Sequence, residues 1–140
     1  MSVHRLDVET SGLMVFALNA STQSNLSKQF QKRVVGKRYI ALVEHSPAGN
    51  QGAIEAPLVK DPEPTHWPRQ KICHDSGRPS RTLWRVHERP IDEPLRQQGR
   101  TARLELRPET GRTHQIRVHL ASPPEEGGLG TPILGDTLYG

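Results

Sequence analysis

The chain has 140 residues, of which 33% are hydrophobic, and a formal net charge of +4. This length permits one domain with a real core but is too short for two ordinary ones, so we predict a single domain over residues 1–140. The single cysteine, Cys73, excludes a disulfide framework and a cysteine-rich zinc site, and it favours a reducing, cytoplasmic setting. No signal-peptide pattern and no apolar run of membrane-spanning length is present, so we expect a soluble protein.

Positive charge is concentrated in one part of the chain. Between Arg69 and Arg117 there are twelve lysines or arginines against six acidic residues, whereas the remainder carries a net charge of −2. Arginine outnumbers lysine fourteen to five, and a planar guanidinium suits phosphate better than a point charge does. The charge favours a polyanionic partner, most simply nucleic acid, and a solvated basic face is the alternative. Only six residues are aromatic, which argues against a broad stacking platform for single strands.

The chain opens with a polar loop, residues 4–12, followed by an apolar run, residues 13–18. Six mostly apolar residues after Thr-Ser-Gly predict a strand covered on both faces, although a buried helical segment gives a similar pattern. Asp7 lies in the loop that such a strand would hold, where a reactive carboxylate can be positioned rigidly. The alternative is a turn residue whose side chain binds nearby backbone amides.

A helix is predicted next. Asn19 or Ser21 can cap it, and it runs to about residue 32 with Leu26 and Phe30 on its buried side. Gly36 marks the break after this helix.

Four later segments have the alternation or composition typical of strands: residues 38–44, 54–59, 82–87 and 102–107. In the last of them Leu104 and Leu106 are expected to point inward, and the charged residues between them outward. Six prolines between residues 46 and 79 exclude a long element there. Residues 88–100 are predicted to form a long mobile hairpin loop.

The last informative segment is residues 111–121. Thr113 is predicted to cap a helix in which Ile116 and Leu120 form one apolar face. His114 and Arg117 lie one turn apart on an adjacent face. The closing residues, 132–140, are rich in turn formers, and their apolar side chains can pack back on the core.

These segments together resemble the ribosomal large-subunit pseudouridine synthase A family of RNA uridine isomerases. Four motifs of that family occur in order: His-Arg-Leu-Asp-x-x-Thr-Ser-Gly at residues 4–12, Lys-x-Tyr-x-Ala at 37–41, Gly-Arg-Thr-His-Gln-Ile-Arg-Val-His at 111–119, and Pro-Ile-x-Gly-Asp-x-x-Tyr at 132–139. One such motif is a weak signal, but four in the right order are highly specific.

The resemblance implies an α+β pseudouridine synthase catalytic-domain fold, with a mixed, largely antiparallel sheet and flanking helices. In that family the domain begins several dozen residues upstream. We therefore expect the N-terminal strands to be missing and this chain to be the C-terminal portion of such a domain.

The resemblance also implies three catalytic residues. Asp7 would be the nucleophile, Tyr39 would lie against the target base, and Arg117 would pair with the aspartate. Arg5 is implied to fill the space that a flipped nucleotide leaves in the RNA. Four further residues are implied to contact RNA: His4, Thr10, Arg112 and His114.

The implied chemistry suits these residue types. Isomerising uridine breaks a sugar–nitrogen bond, rotates the uracil and rejoins it through carbon, without a redox change or a cofactor. A carboxylate attacks only while ionised, and a neighbouring guanidinium opposes the rise in pKa that a dry pocket causes. The ring of Tyr39 can stack on uracil, and its hydroxyl can take part in removing a proton.

We predict a monomeric RNA pseudouridine synthase that acts on structured loops of ribosomal or transfer RNA, without cofactor or metal. The competing hypothesis is a truncated, catalytically inactive RNA-binding remnant of such an enzyme. A metal cluster of His4, Asp7, His114 and His119 is disfavoured because His-x4-His here lacks the intervening glutamate of the zinc-hydrolase pattern. Ser11 lacks the Gly-x-Ser-x-Gly elbow of a hydrolase nucleophile.

Overall fold

The computed structural model describes residues 1–88 and 101–140. They form two compact units: Met1–Gly36, the N-terminal unit, and Lys37–Gly140, the C-terminal unit. The single-domain organisation stays a prediction, and the loop predicted for residues 88–100 lies almost wholly outside the described residues. Within the described ranges, no helix is long and apolar enough to cross a membrane.

The predicted helix of the N-terminal unit is confirmed as α1, Ala20–Gln31. Asn19 caps it, since the Asn19 side-chain oxygen accepts a 2.8 Å hydrogen bond from the backbone amide of Thr22. Leu26 and Phe30 are half-buried, as the apolar spacing predicts. The chain turns away just after the C-cap Lys32, where Arg33 has a positive φ of 59°, three residues before the predicted break.

The buried strand predicted for residues 13–18 is wrong. Only one isolated bridge forms there, between Ser2 and Phe16. Leu13 and Leu18 are more than nine-tenths exposed, and Ala17 is the one buried residue of the run. An apolar run becomes a central strand only when neighbouring strands pair with both of its edges and other elements cover its faces. The composition of the run alone supplies neither the pairing strands nor the covering elements.

The C-terminal unit is built on two antiparallel sheets. A four-stranded sheet has the order β1-β6-β5-β2, and a two-stranded sheet is formed by β3 and β4. The strands are β1 (Tyr39–Val43), β2 (Gln51–Glu55), β3 (Leu58–Lys60), β4 (Gln70–Ile72), β5 (Arg81–Glu88) and β6 (Ala102–Pro108). A second helix, α2, spans Gln115–Ala121. The predicted α+β class is confirmed, and every strand pair among the described residues is antiparallel.

The single strand predicted over residues 54–59 is instead two strands in different sheets. β2 ends at Glu55 and pairs with β5, whereas β3 begins at Leu58 and pairs with β4. Pro57 lies between them and has no amide to donate to a ladder. The chain therefore changes sheets at this proline.

Alternation along β6 and β1 is confirmed. Leu104 and Leu106 are fully buried, while Ile40 and Leu42 of β1 are about half exposed. The core between the four-stranded sheet and α2 consists of buried apolar side chains from the sheet, the β2–β3 link and the helix: Val43, Ile54, Ala56, Trp84, Ala102, Leu104, Leu106 and Leu120.

Glu105 points to the outer face of the sheet, as predicted, but it is only 3% exposed. Its carboxylate accepts hydrogen bonds from Arg85 at 3.2 Å and from Arg107 at 3.0 Å, and Arg38 lies 3.6 Å away. Burial alone would raise the pKa of Glu105, but the guanidinium groups of Arg85 and Arg107 outweigh it and hold the pKa below its ordinary value. The arginines beside this carboxylate therefore cover it from solvent.

The start of α2 differs from the prediction. His114, rather than Thr113, precedes the first helical residue, and it adopts the left-handed conformation with φ of 54°. The His114 side chain makes no capping hydrogen bond to the first turn of the helix. The side-chain oxygen of Gln115 instead accepts a 3.1 Å hydrogen bond from the backbone amide of Arg112. The buried amide of Gln115 thus orders the turn that leads into α2.

Gln115 belongs to a buried polar network under α2. Its oxygen also accepts from the Thr110 hydroxyl at 2.7 Å, and its nitrogen donates 3.0 Å bonds to the Arg81 carbonyl and the Thr82 hydroxyl oxygen. The hydroxyl of Thr82 lies 2.8 Å from Nδ1 of the fully buried His119. This network attaches α2 to β5 through buried hydrogen bonds rather than through apolar contact alone.

His119 is held as a neutral imidazole. Its Nε2 lies 2.8 Å from the carbonyl of Ala56, which can only accept, so Nε2 carries the proton and Nδ1 accepts from Thr82. Both ring nitrogens are therefore used inside the core, which argues against His119 as a metal ligand.

Replacing Gln115 by leucine should lower the free energy of unfolding by about 2–3 kcal/mol, because the buried partners of the amide lose their hydrogen bonds. Urea denaturation followed by circular dichroism measures this change. The control is Gln51→Leu at an exposed position of β2, which should alter the free energy by less than about 0.5 kcal/mol. Similar losses in the two variants would contradict a stabilising network.

A pH dependence follows from His119. Burial lowers its pKa, and the hydrogen bond to Ala56 opposes this only partly. Near the ordinary histidine pKa of about 6.5 the unfolded chain therefore binds a proton that the folded chain does not. The resulting stability is present above that pH and decreases below it. We expect the free energy of unfolding to fall more steeply from about pH 7 to about pH 5 in the wild type than in His119→Gln. If the free energy of unfolding changed with pH in the same way in both proteins, the pH dependence would come from groups other than His119.

Candidate functional site

Four of the predicted site residues lie in the N-terminal unit. The backbone amide of Thr10 donates a 3.0 Å hydrogen bond to the carbonyl of Asp7 and closes a turn. Asp7 and Thr10 are half-buried, whereas Arg5 is exposed. Asp7 therefore lies in a tight turn, as a turn residue would. The chemical role of its carboxylate stays a prediction.

His4 is packed within the same unit. Its ring stacks on Phe30 with 4.7 Å between the ring centroids, and its Nε2 accepts a 2.9 Å hydrogen bond from the backbone amide of Val15. This places the proton of the neutral imidazole on Nδ1. His4 therefore attaches the opening loop to α1, and contact with RNA stays a prediction for it.

In the C-terminal unit, Arg117 projects from α2 and binds Asp136 with two hydrogen bonds. Nε donates to Oδ2 and Nη2 donates to Oδ1, both at 2.8 Å. The Arg117 side chain is 13% exposed and that of Asp136 only 4%. Two parallel bonds fix the plane of the guanidinium as well as its position. Asp136 uses two of the five N–H donors that a guanidinium carries.

The carboxylate of Asp136 is held by more than this arginine. Its Oδ1 also accepts from the backbone amides of Leu138 at 2.9 Å and Tyr139 at 3.1 Å. Burial alone would raise the pKa of Asp136, but the hydrogen bonds from Arg117 and the two amides outweigh it and lower the pKa. Asp136 thus stays ionised in a largely buried position.

Tyr139 lies against this ion pair. The guanidinium carbons of Arg117 and Arg69 are each 5.2 Å from the centroid of its ring, within the range of cation–π attraction. Its hydroxyl lies 2.8 Å from Nδ1 of His114 and accepts a 2.8 Å hydrogen bond from the backbone amide of Gln70. Burial is the main reason that the pKa of Tyr139 is raised.

The structure therefore brings together Arg117, Asp136, Tyr139 and His114, which we call the arginine cluster. Of these, Arg117 and His114 are predicted site residues. Asp136 and Tyr139 belong to the closing motif, which was predicted only to pack back on the core. An aspartate and a tyrosine three positions apart in that motif are the sequence signal that could have predicted both as site residues.

Tyr39, predicted to be catalytic, is the first residue of β1 and pairs with Leu106 of β6. It is half-buried and packs against the apolar core. Pairing of β1 with β6 along one edge and contact with the core give this ring a rigid support, although β1 is an edge strand of the sheet.

Pairing of Arg117 with Asp7 stays a prediction. Within the C-terminal unit, Arg117 binds the carboxylate of Asp136.

Arg112 lines a cleft of about 210 Å³ beside β3. Its Nε and Nη2 donate to the carbonyl of Pro79 at 3.3 and 3.2 Å. Lys60 and Arg78 also line this cleft, together with Leu58, Val59, Gln70, Gly111 and Thr113. Three cations around a space of this size suit an anionic group such as a phosphate.

The comparisons with known proteins fit this arrangement. A family model described as RNA pseudouridylate synthase matches residues 1–122. The dual-specificity RNA pseudouridine synthase RluA of Escherichia coli strain K12 is 40% identical over 141 aligned residues, which cover 99% of this chain and 56% of the relative. The protein of the same name from Vibrio vulnificus strain CMCP6 is 43% identical over 98% of this chain and 50% of its own length.

Two solved structures are also similar. Human RNA pseudouridylate synthase domain containing 1 superposes with a TM-score of 0.83 at 29% identity, covering 99% of this chain and 54% of the human chain. Human RNA pseudouridylate synthase domain containing 4 gives a TM-score of 0.77 at 30% identity. The chain spans about half the length of the relatives that it matches. With nearly nine-tenths of its residues inside the family match, the chain belongs to the RNA pseudouridylate synthase family.

Proposed function

We propose that this chain is an RNA pseudouridine synthase that isomerises uridines without a cofactor. The observation that carries the proposal is the family match over residues 1–122, within which Asp7, Tyr39 and Arg117 all stand at the motif positions. The relatives from Escherichia coli and Vibrio vulnificus are named dual-specificity enzymes. Their names support the proposal of more than one RNA substrate, and from the motif resemblance we propose that these are ribosomal and transfer RNA.

Asp7 is the proposed nucleophile. Its carboxylate attacks the sugar or the base of a flipped uridine, and the bond between the sugar and N1 breaks. The uracil rotates and a bond forms from the sugar to C5, while the bond between Asp7 and the nucleoside breaks and returns the electron pair to the carboxylate. C5 then loses its proton, and N1 gains one. The reaction is an isomerisation, so atoms and electrons balance without a co-reactant.

Arg117 is proposed to pair with the carboxylate of Asp7. A guanidinium remains charged at every relevant pH, so it can stabilise the negative charge of a carboxylate beside it. Its bidentate contact with Asp136 supports this role, because it fixes the orientation of the charge before RNA binds. Asp136 is accordingly a positioning residue.

Tyr39 and Arg5 are proposed to act on the flipped nucleotide. The Tyr39 ring would lie against the uracil, with its hydroxyl available for proton transfer. Arg5 would occupy the space left in the RNA, and its exposure is compatible with that role. Filling this space offsets part of the few kcal/mol that unstacking costs.

The test of the enzyme hypothesis is release of tritium from RNA labelled at C5 of uridine. Because C5 loses its hydrogen only when the new bond forms, the wild-type chain should release tritium. Asp7→Asn, which keeps the shape of the side chain but removes the nucleophile, should release none above background. The neighbouring Glu9→Gln, at an exposed position of the same loop, is the matched control and should remain active.

An RNA filter-binding assay on the same samples separates the two functional hypotheses. Binding without tritium release in the wild type would contradict the enzyme and support the RNA-binding remnant. Equal release by wild type and Asp7→Asn would exclude Asp7 as the nucleophile.

Arg117→Ala should lower kcat by about a hundredfold, because it removes a preorganised charge beside the nucleophile, and should change the Kd for RNA far less.

Asp136→Asn should lower kcat by a smaller factor, since the amide oxygen can still accept one bond from Arg117. Single-turnover kinetics and filter binding measure the two quantities.

Arg81→Ala is the control for Arg117→Ala, because Arg81 is a half-exposed arginine paired with Glu55 and Glu109 rather than with the arginine cluster. Equal losses of kcat and RNA affinity in Arg117→Ala would contradict a role in the chemical step. Full kcat in Asp136→Asn would contradict positioning of Arg117 by the carboxylate charge.

A further inference from the structure

The two tryptophans of the chain lie in opposite environments. Trp84 is 8% exposed and belongs to the core, whereas Trp67 is 68% exposed. Trp67 lies in the loop of the hairpin formed by β3 and β4, which we call the tryptophan hairpin. A tryptophan is the largest apolar side chain that a protein can expose, and only two occur in 140 residues. Its exposure therefore calls for a physical account.

The loop that carries Trp67 is tightly built. The backbone amide of Asp61 donates a 3.0 Å hydrogen bond to the carbonyl of Arg69 and closes the loop at its base. A 3-10 helix, Pro64–His66, lies inside it, and Nδ1 of His66 lies 2.9 Å from the carboxylate of Asp61. The amide of Trp67 donates to the carbonyl of Pro64 at 3.3 Å. A ring on such a loop binds a ligand with little additional loss of backbone freedom.

The base of the tryptophan hairpin contacts the arginine cluster. The amide of Gln70 in β4 donates to the Tyr139 hydroxyl, and the Arg69 guanidinium lies 5.2 Å from the Tyr139 ring centroid. Arg117 lies at the same distance from that ring. A nucleic acid strand bound at the arginine cluster would therefore reach the hairpin that carries Trp67.

The same hairpin borders the cationic cleft. Lys60 and Gln70, which pair across β3 and β4, line it together with Arg78 and Arg112. Among the described residues that line the cleft, three are cations and none is acidic. Charge of this kind suits a phosphate backbone rather than an apolar protein surface, where charged residues are depleted. The charge of the cleft that the hairpin strands line thus favours RNA over a protein partner.

We propose that Trp67 is a stacking site for one nucleobase of the RNA, outside the pocket for the target uridine, with a neighbouring backbone phosphate in the cationic cleft. Every base has a π-face, so the contact tolerates different sequences. A single ring of this kind is consistent with the scarcity of aromatic residues, since it requires one base rather than a run of them. The inference rests on the proposed function only in that the chain binds RNA.

The test is tryptophan fluorescence of the full chain during titration with an RNA stem-loop that has uridines in its loop. Stacking should quench the emission of Trp67. Trp67→Phe, which leaves Trp84 as the only tryptophan excited at long wavelength, should bind the RNA without this quenching. A stem-loop of the same length with abasic loop nucleotides keeps the phosphates and removes the bases, so it should bind without quenching the wild-type chain.

Filter binding on the same stem-loop supplies a second measurement. Trp67→Leu should raise the Kd about tenfold, Trp67→Phe should raise it less, and Leu42→Ala, at a half-exposed apolar position on the outer face of the sheet, should leave it unchanged. Circular dichroism of each variant establishes that its fold is retained.

Several outcomes would overturn the inference. The first is RNA binding by the wild type without quenching, and the second is equal quenching by the abasic stem-loop. The third is an unchanged Kd for RNA in Trp67→Leu. Any of these would leave a protein partner as the ligand of the Trp67 ring. Absence of any RNA binding, or of tritium release from this stem-loop, would contradict the proposed function itself. The two failures are therefore distinguishable.

Discussion

The bidentate contact between Arg117 and Asp136 links the parts of the C-terminal unit that form the arginine cluster. It connects α2 to the closing segment, and Asp136 in turn accepts hydrogen bonds from the amides of Leu138 and Tyr139. Tyr139 is thereby placed between two arginines and bonded to β4 through Gln70. A buried ion pair stabilises a fold only when its remaining hydrogen-bonding groups are satisfied, because both charges lose their hydration. Here the carboxylate meets that condition.

The arginines of the basic segment have divided roles. Arg85 and Arg107 compensate the buried carboxylate of Glu105, and Arg81 pairs with two glutamates. These three arginines are therefore paired with carboxylates within the fold. Three other cations, Lys60, Arg78 and Arg112, line a cleft beside β3. Local charge at a site, rather than the net charge of a segment, determines where a polyanion can bind.

Periodic patterns predicted much of the fold correctly. The cap at Asn19, the alternation of β1 and the inward leucines of β6 follow from rules that act over a few residues. Predictions that depended on distant partners were less successful. The apolar run of residues 13–18 forms one bridge rather than a covered strand, and Pro57 divides a predicted strand between two sheets. Helix α2 begins one residue later than predicted, after His114 in the left-handed conformation, and the Gln115 side chain orders the preceding turn by accepting from the amide of Arg112.

By itself the sequence determined the family, the α+β class and the motif positions of Asp7, Tyr39 and Arg117, because these depend on the identity and order of residues along the chain. Only the tertiary structure revealed that Asp136 binds Arg117, that His119 is buried as a neutral imidazole, and that Trp67 is exposed in the loop of a hairpin whose strands line a cationic cleft. Ion pairing, burial and exposure are properties of atoms that meet in space. Asp136 lies nineteen positions from Arg117, and His119 bonds a carbonyl sixty-three positions away, so no local pattern contains these contacts.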